Sequence, residues 1–349
     1  MAEKTAPRMP RIGVRIPACD RVDRVAAAIE RAEQLGFDSA WVPDSQLIWR
    51  DTWMALALAA TRTRNIRLGA AVTNVVTRHP SVVASAVRTL QEIAPGRVTL
   101  GLGAGWSSAA MIGLPATRHR DLAAAVSTIR TLLAGGSAVI NDVPARLTGA
   151  AGACPLYLAA QGPLNLQLAG AAADGVIMTM SLPPQVLAPK LERLRAGARG
   201  AGRDPAALEV VLFAPIHVTD DPARDIARFK PTVAVSLRNQ SREDLAAAGI
   251  QVRIEGDLAD GMEPDGSHVA DYDAAVRACD PLVDDAVACQ WVDAFALAGP
   301  AAVLRARLED AAARGVTEIL LTPLGADGNQ SLPLALLEDV SAALGLRAA

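Results

Sequence analysis

What the chain lacks narrows it first. It carries no excess of charge: 34 basic against 37 acidic residues leave a net −3, spread along the length, with no electrostatic footprint for nucleic acid or an anionic membrane surface. It has few cysteines, Cys19, Cys154, Cys279 and Cys289. They stand far apart with no Cys-x-x-Cys pair, which argues against a zinc knuckle or a redox dithiol, and they read as small apolar residues in a reducing compartment. No apolar run reaches the roughly 18 residues a membrane span requires, and the opening MAEKTAPRMPRIGV holds no leader-like apolar core. A cytoplasmic protein is expected. Nor do the histidines join glutamates at ligand spacing, so no metal is expected.

What is present is apolar and periodic. With 349 residues, 51% of them hydrophobic, the chain can bury a core larger than one compact layer structure needs, unless the fold is a barrel. One unit recurs: an alanine-rich amphipathic helix, a glycine, then a short β-branched strand. It appears as AIERAEQLGFDSAWV (28–42), LQLAGAAADGVIM (166–178) and LEDAAARGVTEILL (308–321). The glycines Gly36, Gly175 and Gly315 mark the helix-to-strand corner, where positive φ ends a helix. Strands are predicted near 11–17, 37–43, 66–73, 98–104, 155–160, 175–180, 210–218 and 318–323, with helical periodicity between most of them. Eight strands that are apolar on both faces imply a parallel α/β sheet. A (β/α)8 TIM barrel is expected over residues 1–349 as a single domain, in preference to an open doubly wound sheet. Its insertions should follow strands four (135–153) and seven (231–290). The second is polar around EGDLADGMEPDGSHVADYD (255–273) and is expected to form a long loop that caps the barrel mouth as a lid.

In such a barrel the chemistry lies at the carboxyl ends of the strands. Strand two ends in WVPDSQLIW, with Asp44, Ser45 and Trp49; strand three in AAVTNVVTRHP (70–80); strand four in GLGAGWSSA (101–109); strand five in YLAAQGPLN (157–165). GLGAGW hints at a dinucleotide site, but the acidic residue such a site needs about 20 residues later is missing, Asp121 falling in a helix. A plain turn and a flat ligand lying against Gly103 and Gly105 remain open. Gly162 and Pro163 start a helix, which leaves backbone N–H groups facing the mouth and suits an anion, although an ordinary helix start has the same look.

Taken together, RVAAAIERAEQLGFDSAWVPDSQ, LGAAVTNVVTRHPSVVASA, GRVTLGLGAG and AAQGPLNLQLAGAAADGVIM resemble the bacterial luciferase-like superfamily, and within it the branch of methylenetetrahydromethanopterin reductase and other deazaflavin-dependent enzymes. The resemblance covers about residues 11–220 and, more loosely, the last helix and strand. It implies a barrel, usually a homodimer, that binds coenzyme F420 or, alternatively, reduced flavin mononucleotide (FMN). It implies a bulge at Ala71-Val72-Thr73, often with a non-prolyl cis peptide, supporting the ring. Asn74 and Asp44 would lie near polar edges of that ring, Gly103, Ala104 and Gly105 along it, Trp49 over it, and Ala160, Gln161, Gly162 and Pro163 at the phosphate.

Departures from the family pattern are informative. Sugar- and alcohol-oxidising relatives carry His after the strand-two aspartate and Glu after the strand-four glycines; here stand Ser45 and Trp106. A proton relay of that kind is not expected. His79 is a candidate proton carrier or a helix-start residue, Arg78 a rim salt bridge, His217 a satisfied buried histidine and His268 a solvent-facing one. The catalytic candidates are Asp44, Ser45, Trp49, Trp106 and His79. Three functions stay open: an F420-dependent reductase or dehydrogenase acting on an electrophilic carbon (C=N, C=C or a pterin-like one-carbon unit), an FMN-dependent monooxygenase, and a barrel that binds a ligand without turning it over.

Overall fold

The computed structural model describes residues 9–149, 152–179, 181–255, 258, 262, 268–269, 271–325 and 331–347. Its strands are β1 (Arg11–Arg15), β2 (Ser39–Val42), β3 (Arg67–Asn74), β4 (Val98–Gly103), β5 (Ser137–Ile140), β6 (Val143–Arg146), β7 (Leu156–Ala159), β8 (Gly175–Thr179), β9 (Glu209–Val218), β10 (Leu297–Gly299) and β11 (Glu318–Pro323). Its helices are α1 (Val22–Gln34), α2 (Thr52–Arg62), α3 (Pro80–Ile93), α4 (Trp106–Ala110), α5 (His119–Leu133), α6 (Pro163–Ala172), α7 (Pro184–Gly200), α8 (Ile226–Asn239), α9 (Arg242–Ala247), α10 (Tyr272–Cys279), α11 (Asp285–Phe295), α12 (Ala301–Ala313) and α13 (Leu334–Leu344).

β1, β2, β3, β4, β7, β8, β9 and β11 pair in parallel and close on themselves through β8–β9, which makes the expected eight-stranded barrel; β10 adds a short parallel partner to the end of β9. Period-two alternation explains the burial. Ile12 and Val14 of β1, and Ile16 just beyond it, point outward onto the helices, as do Leu68 and Ala70 of β3 and Leu100 and Leu102 of β4. A second, inner cluster of Trp41, Tyr157, Ile177, Val211 and Leu320 fills the axis.

The lower end is sealed by a charged knot. Glu318 is fully buried and accepts hydrogen bonds from Trp41 Nε1 (3.1 Å), the Ser39 hydroxyl, Arg67 (2.6 Å) and Arg11 (3.4 Å). A buried carboxylate persists only with such partners. Gly13 leaves the room for it, since a Cβ there would lie 2.8 Å from Glu318 Oε1.

Three expectations change. Gly36 and Gly315 do turn their corners at φ 88° and 99°, but Gly175 is the first residue of β8 and has no positive φ. It is glycine because a Cβ would lie 2.7 Å from the carbonyl oxygen of Glu209. The excursion 135–153 holds the β5–β6 hairpin, whose tip residues Asn141 and Asp142 take φ 49° and 63°, the positive pair a two-residue hairpin turn requires. The span 231–290 is not one long polar loop. Most of its described residues lie in α8 to α11, packed around Phe229, Val233, Leu237, Trp291 and Phe295 as a separate apolar cluster. Much of 255–273 lies outside the described residues.

Candidate active site

The carboxyl ends of the strands open into a cavity of about 1060 Å³. That stands at the upper end of the roughly 300–1,000 Å³ usual for ligand pockets, ample for a flat ring system. Asp44, Ser45, Trp49, Ala71, Val72, Gly105, Trp106, Ala160, Gln161, Gly162 and Pro163 all line it. Thr73, Asn74, Gly103 and Ala104 stand behind that wall, and His79 lies outside it.

The wall at β3 has a structural cause. The β3–β4 register shifts between Ala70 and Thr73, and the Ala71–Val72 peptide is cis. The chain thereby steps inward, and Ala71 and Val72 pack against the inner cluster. β4 makes room for that step with its glycines. A Cβ on Gly101 would fall on the carbonyl oxygen of Ala70, and one on Gly103 would lie 2.6 Å from Val72 Cγ2. The GLGAGW run thus serves the neighbouring strand. Of its glycines only Gly105, at φ 81° as the N-cap of α4, reaches the cavity.

The polar end of β3 is largely self-satisfied. Thr73 Oγ1 donates to Asp44 Oδ2 at 2.6 Å, and Arg78 grips both oxygens of Asp44 at 2.7 and 3.0 Å while also reaching Asp51 at 2.7 Å. Burial works against the charge on Arg78, but the bonds and charges of the two aspartates outweigh it and hold its pKa above the ordinary value. Asn74 Oδ1 accepts from the backbone N–H groups of Val76 and Thr77, whereas its Nδ2 is buried without a partner, beside Gly105. His79 is the N-cap of α3, its Nδ1 accepting from the Ser81 amide.

Across the mouth, the Ser45 and Ser107 hydroxyls meet at 3.0 Å, and Gln46 ties the same loops together through the Ser108 carbonyl. Trp106 begins α4 and stays 58% exposed at the rim. Trp49 is buried, and its ring meets His268 edge-on with centroids 4.8 Å apart. His268 is therefore not solvent-facing as expected but 5% exposed, in contact with the barrel wall. His217 is half-buried and bonds Asp225 through Nε2 at 3.1 Å.

Opposite, Gly162 and Pro163 are the N-cap and first residue of α6, whose first-turn amides have no intrahelical acceptor. Space beside Gly162 is open. Lys190, on α7, was not foreseen. Its Nζ is buried and donates to Gln161 Oε1 (2.9 Å), Ser181 Oγ (3.1 Å) and Asp244 Oδ2 (2.8 Å), which links the α6 loop to α9. Burial lowers its pKa, against the raising effect of Asp244. Arg15, at the end of β1, was also missed: it lines the cavity with its guanidinium 5.0 Å from the Trp49 ring. Among the described residues no group of metal-binding side chains gathers anywhere, and no helix is long and apolar enough to cross a membrane.

Residues 5–318 match the luciferase-like monooxygenase family, and the chain belongs to it. It is 30% identical to 5,10-methylenetetrahydromethanopterin reductase of Methanolobus tindarius over 92% of this chain and 97% of that protein. It is 33% identical to the F420-dependent hydroxymycolic acid dehydrogenase of Mycobacterium tuberculosis over 74% of this chain and 77% of that one. The structure of the coenzyme F420 dependent tetrahydromethanopterin reductase from Methanopyrus kandleri superposes with a TM-score of 0.74 at 24% identity, covering 96% and 98% of the two chains, a likeness of fold.

Proposed function

We propose that the chain is an F420-dependent oxidoreductase acting on an electrophilic carbon of a small molecule, a C=N or C=C bond or a pterin-like one-carbon unit. The observation that carries this reading is the inward step of β3 at Ala71–Val72, set in the same cavity as the N-terminus of α6. The residues present fit such a group. Ala71, Val72, Ala159 and Ile177 offer an apolar shelf, Asn74 Nδ2 is an unspent buried donor beside it, and the α6 amides offer fixed partial positive charge for a phosphate. When bound, the deazaflavin supplies hydride transfer; the protein's share is binding, orientation and exclusion of water.

Asp44 holds Thr73 and Arg78, and so keeps the shelf in place. Gly103, Ala104 and Gly105 set the strand behind the ring, and Ala160 to Pro163 receive the phosphate. Ser45 and Ser107 hold a hydroxyl proton at the substrate side, Trp49 and Trp106 wall the pocket, and His79 fixes the start of α3. The 231–290 segment belongs to the same domain as a lid, pinned to the α6 loop by Lys190 and Asp244. The lack of disulfides among the cysteines supports a cytoplasmic setting, and the exposed apolar Met54 and Val82 on α2 and α3 support a homodimer.

The test is cofactor retention: purified protein is mixed with F420 or FMN, desalted, and the bound chromophore is read by fluorescence. F420 retained and FMN lost is expected. FMN retained alone would favour the monooxygenase reading, for which the family's own description speaks, and retention of neither would favour a ligand-binding barrel.

A further inference from the structure

Lys190 joins three parts of the mouth. Its Nζ, on a side chain only 5% exposed, donates to Gln161 Oε1, Ser181 Oγ and Asp244 Oδ2. An ammonium carries three protons, so all of them are spent. Gln161 directly precedes Gly162, the N-cap of α6, and Asp244 stands on α9. Gln161, Gly162, Lys190 and Asp244 all line the cavity. The ammonium thus sits on the border between the phosphate position and the lid, with no proton left for a phosphate unless one acceptor gives way.

The three acceptors differ in how readily they yield. Gln161 is held in turn by its Nε2, which donates to the Thr179 carbonyl at 2.7 Å, and Ser181 gives its own proton to that carbonyl at 2.9 Å. Both rest on the end of β8. α9 is a helix of 6 residues with a single buried side chain, Leu245. It brings two carboxylates to the cavity, Glu243 and Asp244, and an arriving phosphate repels both. Glu243 has no ion-pair partner among the described residues, so nothing offsets its share. Burial disfavours the Lys190 charge and Asp244 sustains it, so the carboxylate leaves only in exchange for another anion. Arg193, three residues further along α7, lines the same wall and adds positive charge beside Lys190.

We infer that Lys190 is a transferable latch: a phosphate at the start of α6 takes the place of Asp244 on the ammonium and releases α9 from α7. Linkage makes the effect reciprocal, so whatever frees Lys190 from Asp244 tightens the phosphate. Lys190 is in this sense a positioning residue for the lid, and Asp244 holds the anion's place while the mouth is empty. This rests on the reading of the α6 start as a phosphate position.

The experiment runs hydrogen exchange across 242–247 and titration calorimetry on the full chain, with inorganic phosphate, with F420 and with potassium chloride at matched ionic strength. Saturating phosphate is expected to speed wild-type exchange there about fivefold or more over chloride. Asp244→Asn should bind phosphate about fivefold or more tighter than wild type and exchange fast with or without it. The inference is overturned if wild type binds no phosphate, if its exchange is unchanged or slower at saturation, if chloride gives an equal rise, or if Asp244→Asn binds phosphate no tighter. The wild-type arm decides on its own where the variant does not fold. Phosphate that F420 displaces identifies the anion as the cofactor's, and phosphate bound beside F420 assigns the latch to a phosphorylated substrate. F420 retained with α9 unmoved by either ligand sinks the latch alone, whereas phosphate that loosens α9 in a chain unable to retain F420 sinks only the cofactor reading.

Discussion

Replacing Asp44 by Asn tests whether the shelf is held from β2. The carboxylate accepts from Thr73 at 2.6 Å and twice from Arg78, at 2.7 and 3.0 Å, and is almost fully buried. An Asn of the same size keeps one acceptor oxygen but turns an NH2 group toward donors, and Arg78 is left with Asp51 as its remaining carboxylate. Breaking a buried ion pair costs about 3–5 kcal/mol. Arg78 keeps Asp51 and is 18% exposed, so about 2–3 kcal/mol is expected here. At about 2.1 cal/mol/K per residue, a chain of this length loses roughly 1.4 °C for each kcal/mol, which puts the expected fall at about 3–4 °C. Scanning calorimetry and urea unfolding measure the loss, and F420 retention should weaken with it because Thr73 adjoins Val72. A double-mutant cycle with Arg78→Met should return most of the energy as coupling. An Asp44→Asn variant within about 0.5 kcal/mol of wild type, or one with no coupling to Arg78, would refute the reasoning.

Gly101→Ala should cost about 3 kcal/mol or more, because its Cβ meets backbone at Ala70. Gly96→Ala, at φ 74° with open space around it, should cost only about 1–2 kcal/mol of left-handed strain; equal losses in urea would contradict the packing argument. Burial first, and the nearby Glu209 charge after it, push the Tyr157 pKa up to about 12. The folded chain thus keeps a proton that the unfolded chain releases near pH 10, so this contribution is whole below about pH 10 and disappears as pH rises to about 12, on the order of 2 kcal/mol. Tyr157→Phe should flatten the alkaline fall in stability, and an unchanged pH profile would count against it. Asp244→Asn removes the carboxylate held by Lys190 and should speed amide exchange across 242–247 several-fold; unchanged exchange would mean that α9 is not tethered there. Cys154, its thiol pushed up to about 12 by burial, should resist iodoacetamide at pH 8 until the chain unfolds, and prompt alkylation of the native protein would contradict that burial.

The barrel was legible because its signal is periodic: strands buried on both faces read as continuous apolar runs, and all eight were found. The residue choices at the end of β3 were harder. Arg78 forms the rim salt bridge expected of it, with Asp44, and His79 takes the helix-start role as the cap of α3, while Thr73 also bonds Asp44 and Asn74 Oδ1 caps the next turn. Local capping and ligand contact draw on the same residue types. α8 was hidden by Pro231 in its interior, although Phe229, Val233 and Leu237 keep helical spacing. Lys190 could have been noticed as a cation in phase with the apolar Val186, Leu187, Leu191 and Leu194, and Arg15 as an inward position two after Gly13. A single charge beside a strand or within a helix usually reads as solvated; only its phase says otherwise.

The plug of Trp41, Tyr157 and Leu320, with Glu318 knotted beneath it, makes the cavity a blind alley. Among the described residues the cavity opens between α4, α6 and the 231–290 helices, and the plug bars the way below. Whichever molecule rests deepest must enter first and depart last, so exchange at this site is a queue, and initial-rate kinetics should show compulsory order.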